Sequence, residues 1–216
     1  MNRFDLVAFD CDGVLVDSEP ITFAVFTQAL NALGWDVTLE EAMGHFVGKS
    51  FMDERELIEA RIGGPLPVDF HPRYLAERDR ALAEQVEPVR GVRAVLHDLI
   101  AQQRPFCVAS GADRAKMEVT LGRTGLRPLF DERIFSASDV ARSKPAPDVY
   151  LHAARMLHVR PERCVVIEDT PTGVQAGIAA GMTVFGYAER SDARALLRAG
   201  AWATFADMRD LPALLA

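Results

Sequence analysis

The sequence predicts an α/β protein whose doubly wound parallel sheet is interrupted by an inserted all-helical segment. Three observations support this fold class. Short apolar runs without alternation recur along the chain, and helical patterns separate them. Between the first and second of these runs, residues 17–85 look helical throughout.

Five apolar runs are the candidate strands of the sheet. Val, Ile, Phe and Ala dominate them and do not alternate with polar residues, which is typical of strands that helices cover on both faces. Turn residues bound the runs. The candidate strands span residues 4–10, 105–110, 133–137, 163–169 and 182–187.

Four segments between these runs are the candidate helices. Residues 93–102 repeat apolar side chains every three or four positions, and residues 113–125 start at an aspartate and stop at a glycine. Residues 146–158 carry Pro and Asp in the first turn, and residues 170–181 open with Thr-Pro and close on Gly. Strands and helices that alternate in this order predict a doubly wound sheet.

The helical segment has the position of an inserted domain. It begins just after the first candidate strand, and the α/β pattern resumes after it. We therefore predict an α/β core of residues 1–16 and 86–216 and a helical cap of residues 17–85. Open α/β sheets bind ligands at the carboxyl ends of their strands, so an insertion there is expected to cover the site.

Composition excludes several classes of partner. The chain has 216 residues and a net charge of −7, which argues against a nucleic-acid or membrane-surface binder. No apolar run approaches the length of a membrane span, and the N-terminus does not resemble a signal peptide. The three cysteines lack metal-site spacing and adjoin apolar runs, so we expect reduced, buried thiols in a cytoplasmic protein. The sequence does not specify an oligomeric state, and a monomer is compatible with it.

Polar residues gather where the candidate strands end. Because parallel strands end at one edge of a sheet, we expect these side chains to converge. In chain order they are Asp10 and Asp12, Ser110 and Gly111, Lys144, and Glu168 and Asp169.

Four carboxylates in one site repel one another and are costly to bury without a counter-charge. A hard divalent cation with oxygen ligands is the natural counter-charge, and Mg²⁺ fits best because it leaves room for waters and a phosphate. Lys144 and the Ser110 hydroxyl can hold an anionic ligand against that metal. Glu168 and Asp169 have an alternative interpretation as caps of the following helix.

These residues lie in four motifs that resemble those of the haloacid dehalogenase-like hydrolases. The motifs are "DCDGVLVDSE", "VASGA", "KPAPD" and "IEDTPTGVQAGIAAGM", and the resemblance covers essentially the whole chain. The insertion resembles the cap of the subfamily that includes β-phosphoglucomutase and small sugar-phosphate phosphatases. The resemblance implies a Mg²⁺-dependent phosphatase for a small phosphorylated metabolite, such as a sugar phosphate or sugar-acid phosphate.

The resemblance also implies roles for the acidic residues. Asp10 is expected to accept the phosphoryl group as an aspartyl phosphate, and Asp12 to act as general acid and then as general base. Mg²⁺ is expected to bind the Asp10 carboxylate, the Asp12 backbone carbonyl and Asp169, with Glu168 binding directly or through water. Gly13 allows the sharp turn after the strand.

The phosphate and the rest of the substrate need other contacts. Ser110, the Gly111 amide and Lys144 are expected to grip the phosphate oxygens. Lys49, in the cap, is a candidate substrate contact and equally a candidate surface charge. Ser18 lies at the hinge and is a further candidate contact.

Two alternatives to the phosphatase remain open. Mutases of the family resemble "DTAxxH" after the first motif, whereas this chain has "DSEPIT" with Thr22 at the histidine position, which favours a hydrolase. An acid/base Asp12 argues against dehalogenase and phosphonate-cleaving members. A signalling receiver also uses an Asp, a hydroxyl residue, a Lys and an acidic pair, but such modules are about half as long and lack this insertion.

Overall fold

The structure, a computed structural model, describes residues 3–46 and 54–216. The chain divides into two compact units. One combines the N-terminal segment up to Asp17 with Glu87–Ala216, and the other is Ser18–Val86.

A six-stranded parallel sheet organises the first unit. The strand order is β3-β2-β1-β4-β5-β6, which confirms the doubly wound α/β fold class. The first five strands coincide with the candidate strands, whereas β6 at the sheet edge was not predicted. The strands are β1 (Leu6–Phe9), β2 (Phe106–Ser110), β3 (Ile134–Ser136), β4 (Cys164–Glu168), β5 (Thr183–Tyr187) and β6 (Ala203–Phe205).

The second unit is helical in its described residues. Its helices are α1 (Glu19–Ala32), α2 (Leu39–Phe46), α3 (Arg55–Ile62) and α4 (Phe70–Gln85). An aromatic cluster forms its core, in which the Phe26 ring lies 4.9 Å from that of Phe46 and 5.3 Å from that of Tyr74. These edge-on contacts join α1 to α2 and α4, so the unit has a hydrophobic core of its own.

Helices cover both faces of the sheet. Leu6 and Ala8 face one cluster of buried residues that includes α7, α8 and α9, while Val7 and Phe9, which point to the opposite face, are equally buried. The three cysteines are free and buried, as expected. The helices of this unit are α5 (Val92–Ala101), α6 (Arg114–Arg123), α7 (Asp148–Met156), α8 (Pro171–Ala179), α9 (Ala193–Ala199) and α10 (Leu211–Leu214).

The chain leaves and re-enters the α/β unit at one place. The backbone N–H of Asp17 donates to Glu87 O at 2.9 Å, and the N–H of Val89 donates to Leu15 O at 3.0 Å. The outgoing and returning segments are therefore hydrogen-bonded to each other. Within the described ranges, no helix has the length and apolar character needed to cross a membrane.

Candidate active site

Three acidic residues lie at the carboxyl ends of the two central strands. Asp10 follows β1, its backbone N–H donates to Ile167 O at 3.0 Å, and its side chain is 10% exposed. Glu168 ends β4 and Asp169 follows, and both are buried. Because β1 and β4 are neighbours where the strand order reverses, these carboxylates lie at the switch point of the sheet, where such folds bind ligands.

Gly13 makes the turn after β1 possible. Its φ of +72° lies in the left-handed region, and its N–H donates to Val16 O at 2.9 Å. A Cβ atom at this position would overlap the Asp169 carboxylate. The glycine therefore serves both the turn and the close approach of an acidic side chain.

Lys144 is the cation within this group of carboxylates. Its Nζ donates to Asp10 Oδ1 and to Glu168 Oε1, each at 2.6 Å, and to Ala109 O at 3.2 Å. The lysine side chain is 9% exposed, so water competes weakly for these contacts. The structure thus brings together residues that are far apart in sequence. Lys144 is 134 positions from Asp10 and 24 positions from Glu168.

Burial and ion pairing set the protonation of these groups. Burial raises the pKa of Asp10 to about 6, against the opposing charge of Lys144, and the neighbouring carboxylates of Glu168 and Asp12 add to the rise. Burial also opposes the charge on Lys144, but Asp10 and Glu168 together raise the pKa of its ammonium group well above the ordinary value. At neutral pH the lysine is therefore charged, and Asp10 is a carboxylate that a further cation would stabilise.

Glu168 accepts hydrogen bonds on both carboxylate oxygens. Oε1 accepts from Lys144 and from the Tyr150 hydroxyl at 2.9 Å. Oε2 accepts from the Asp169 N–H at 3.0 Å and from the N–H and hydroxyl of Thr170, both at 3.1 Å. These donors orient Glu168, and the carboxylate in turn orients Lys144.

Tyr150 and Thr170 were not singled out by the sequence analysis. Tyr150 is buried in α7, with Lys144 Nζ 4.7 Å from its ring centroid, and it reads in sequence as an ordinary core position. Thr170 caps α8 by accepting from the Gly173 N–H at 3.1 Å, so the cap is neither Glu168 nor Asp169. The Thr-Pro opening correctly placed Thr170 at the start of that helix, whereas its hydrogen bonds to Glu168 were not predicted.

Asp12 is paired with a second lysine that the sequence analysis missed. Lys116 Nζ lies 2.8 Å from Asp12 Oδ2, and the lysine side chain is 13% exposed. Lys116 belongs to the first turn of α6, the helix that follows Ser110 and Gly111. The available signal was that α6 starts at the carboxyl edge of the sheet, although a single lysine in a helix is most often a surface charge.

The remaining predicted residues have simple positions. Ser110 ends β2 and is buried, and its Oγ accepts from the Ala112 N–H at 3.2 Å. Gly111 follows it and is exposed. Ser18 is buried and directly precedes α1. Lys49 lies outside the described residues.

The acidic residues fit a metal ion. Asp10, Glu168 and Asp169 each offer a carboxylate oxygen, and these three oxygens lie within 4.8 Å of one another. Small hard divalent cations prefer such oxygen ligands. There is space beside the Asp169 carboxylate because glycine, at position 13, has no side chain. Donor type, burial and spacing are thus compatible with Mg²⁺.

Known proteins with similar sequences include two phosphatases. A 6-phosphogluconate phosphatase from Escherichia coli (strain K12) is 33% identical over 186 residues, which are 86% of this chain and 83% of that protein. A phosphorylated carbohydrates phosphatase from Thermotoga maritima is 32% identical over 203 residues, which are 91% of this chain and 92% of that protein.

The family and the fold agree with these similarities. A crystal structure of a HAD family hydrolase from Deinococcus radiodurans R1, with bound phosphate and sodium, matches with a TM-score of 0.86 at 36% identity. The match covers 100% of this chain and 96% of the other. The family model for haloacid dehalogenase-like hydrolases matches residues 4–181, which include the first three predicted motifs and all of the fourth except its last residue, Met182. The chain therefore belongs to the haloacid dehalogenase-like hydrolases.

Proposed function

We propose that this protein is a Mg²⁺-dependent phosphatase that hydrolyses a small sugar phosphate or sugar-acid phosphate through an aspartyl phosphate on Asp10. The observation that carries the proposal is the contact of a buried carboxylate at the switch point, Asp10, with the ammonium group of Lys144. Membership of a hydrolase family and the names of the two phosphatase relatives support the same reaction class.

In the first step, an Asp10 carboxylate oxygen attacks the phosphorus of the ester. The bond between phosphorus and the leaving oxygen breaks, and Asp12 gives that oxygen its proton. The products of this step are the free alcohol and a phosphoryl group on Asp10. Because Asp12 gives up a proton in this step, it has to be protonated when the ester binds.

In the second step, Asp12 acts as a carboxylate. It takes a proton from a water molecule, whose oxygen attacks the phosphorus of the aspartyl phosphate. The bond between Asp10 and phosphorus breaks, inorganic phosphate leaves, and both aspartates return to their starting forms.

Three groups bind the transferring phosphate oxygens. Lys144 supplies a fixed positive charge, and the Ser110 hydroxyl and the Gly111 amide supply hydrogen-bond donors at the same sheet edge. Held by Asp10, Asp169 and the Asp12 carbonyl, with Glu168 through water, Mg²⁺ would neutralise charge on the phosphate. The many donors to Glu168 favour this indirect role and a main function of orienting Lys144.

We assign substrate selection to the helical unit as a cap. Ser18 and Lys49 are the proposed contacts to the part of the substrate that does not react. A cytoplasmic location, where small phosphorylated metabolites occur, remains a prediction that the free thiols support.

Two other functions are less well supported. A mutase of the β-phosphoglucomutase type would require the histidine that Thr22 replaces in α1. A phospho-aspartate signalling module would not need Asp12, which promotes loss of the phosphoryl group.

The test is phosphate release from a panel of sugar phosphates, sugar-acid phosphates and an aryl phosphate, with Mg²⁺ present. We expect turnover on several members and an acyl phosphate that decays within seconds. Transfer of phosphate between two positions of a sugar without release would identify a mutase instead. A stable acyl phosphate without turnover would identify a signalling module.

A further inference from the structure

An ion pair beside the nucleophile joins α6 to the loop that follows β1. Lys116 Nζ donates to Asp12 Oδ2 at 2.8 Å, and the two side chains are only 13% and 26% exposed. The residues are 104 positions apart, so the overall fold, rather than the local sequence, makes the contact. Partial burial limits the competition from water that makes most surface pairs weak.

The backbone at the lysine end of the pair is hydrogen-bonded on both sides of the residue. The Lys116 N–H donates to the Asp113 side chain at 2.8 Å, in the cap that starts α6, and the Thr120 hydroxyl donates to Lys116 O at 3.1 Å. The next residue, Met117, is fully buried. Lys116 therefore extends from a fixed helical turn, and its ammonium group reaches the catalytic edge of the sheet.

The aspartate end lies on an ordered turn. The backbone of this turn is closed by hydrogen bonds from Gly13 N–H to Val16 O at 2.9 Å and from Val16 N–H to Cys11 O at 3.1 Å. Cys11 Sγ also lies 4.0 Å from the Thr120 hydroxyl, which is a second contact between the turn and α6. Both backbones are thus fixed, and the ion pair fixes the remaining freedom, the rotation of the Asp12 side chain.

We propose that Lys116 is a positioning residue that holds the Asp12 carboxyl group in place for both proton transfers. This inference rests on the proposed phosphatase function. Lys144 contacts the nucleophile and Glu168, whereas Lys116 contacts the acid/base, so each lysine orients a different catalytic carboxyl group. A proton donor misplaced by about 1 Å slows a reaction by about a hundredfold, which sets the scale of the expected effect.

The proposal predicts a kinetic pattern that a general weakening of the site would not produce. The value of kcat/KM reports the steps up to departure of the leaving group. An alkyl phosphate needs a proton from Asp12 in those steps, whereas an aryl phosphate needs little protonation. For the aryl ester, kcat and KM should both fall, so that kcat/KM is kept. The reason is that Asp12 still has to activate water for hydrolysis of the aspartyl phosphate.

The experiment compares Lys116→Met with Lys116→Arg on one alkyl and one aryl phosphate, with Mg²⁺ present. For Lys116→Met we expect kcat/KM to fall about ten- to a hundredfold on the alkyl ester and to stay within about threefold on the aryl ester. On the aryl ester, kcat should fall and an aspartyl phosphate should accumulate. Lys116→Arg keeps the charge and should stay within about threefold of wild type on both esters.

A double-mutant cycle isolates the route of the effect. Because Lys116 acts through Asp12, adding Lys116→Met to Asp12→Asn should lower kcat/KM by less than about twofold further. If the losses of the two single variants multiply in the double variant, the proposal is overturned. Equal losses of kcat/KM on the alkyl and aryl esters in Lys116→Met would also overturn it. If thermal unfolding shows that Lys116→Met is not folded, Lys116→Gln replaces it and is judged by the same two criteria. Absence of Mg²⁺-dependent turnover in the wild type would instead reject the phosphatase function itself.

Discussion

Asp10 is a buried carboxylate whose surroundings suit a nucleophile. Its side chain has little contact with water, and its charge is offset by Lys144 at 2.6 Å. A desolvated carboxylate beside a fixed cation is held ready to attack an electrophilic phosphorus, and little solvent has to be rearranged during the reaction. The contact with Lys144 therefore supports the proposed role of Asp10 as the nucleophile.

The Asp10→Asn variant tests the nucleophile. The amide has nearly the shape of the carboxylate but cannot attack phosphorus, so we expect a folded protein that has lost about a thousandfold or more of its turnover. The measurements are phosphate release under saturating substrate and thermal unfolding. Retention of more than about a tenth of wild-type turnover would remove Asp10 from the chemistry.

At the scale of elements, α8 and β4 approach closely at the site. Gly173 lies in the first turn of α8, and a Cβ atom there would overlap the Glu168 carboxylate at the end of β4. The backbone of α8 therefore packs directly against the charged side chain of Glu168. Any larger residue would have to displace the carboxylate that orients Lys144.

Gly173→Ala is predicted to damage stability and activity together. Displacing Glu168 should lower the free energy of unfolding by about 1–3 kcal/mol and reduce turnover at least about tenfold. The matched control is Gly122→Ala in α6, where the added methyl group meets open space. That change should stabilise the protein by up to about 1 kcal/mol. Denaturant unfolding and steady-state turnover measure both; equal behaviour of the two variants would contradict the packing argument.

The elements differ in how well the sequence predicts them. β1 to β5 were found because each is an apolar run buried on both faces. β6 was missed because Ala203–Phe205 is only three residues long and two of them are partly exposed, so pairing with β5 rather than local pattern makes it a strand. α9 was also missed, although Asp192 caps its start and Gly200 follows its end, which are the signals that marked residues 113–125. α10 is only four residues long, which is too short for a periodic pattern.

The site shows the same division. Residues at or directly after strand ends were predicted, because topology alone brings strand ends together. Lys144, which lies in the loop between β3 and α7, was predicted from its motif. Tyr150 and Lys116 come from helices, and their contacts with Glu168 and Asp12 depend on how each helix is rotated against the sheet. That rotation results from packing across the whole unit, and a periodicity of apolar residues does not specify which polar side chain reaches the site.

At the scale of the whole molecule, charge balance predicts a requirement for metal. The four acidic residues of the site carry two more negative charges than Lys116 and Lys144 offset, and a phosphate ester adds further negative charge. We expect the chelated protein to be folded but inactive. Mg²⁺ should restore turnover, and Ca²⁺ should restore it poorly because of its looser coordination. Full turnover after exhaustive chelation would reject the mechanism.

The raised pKa of Asp10 predicts how pH affects stability. A carboxyl group whose pKa is about 6 when folded, and 3.8 otherwise, binds its proton more tightly in the folded protein. The contribution of Asp10 to the stability of the metal-free protein should therefore fall as pH rises from about 4 to about 6. Mg²⁺ competes with that proton, so a fixed Mg²⁺ concentration should raise the melting temperature more at pH 7.5 than at pH 5. Asp10→Asn should show neither trend; an equal shift at both pH values in the wild type would contradict the linkage.

The paired backbone segments at the domain junction have an evolutionary consequence. Because Asp17 and Glu87 are hydrogen-bonded neighbours, the ends of the intervening chain are already together, and the entropy of closing that loop grows only slowly with its length. We therefore expect the sheet and its carboxylates to tolerate changes in the length of Ser18–Val86, which forms a compact unit of its own. A lineage with this architecture can recombine its inserted helices while it conserves the chemistry of the strand ends.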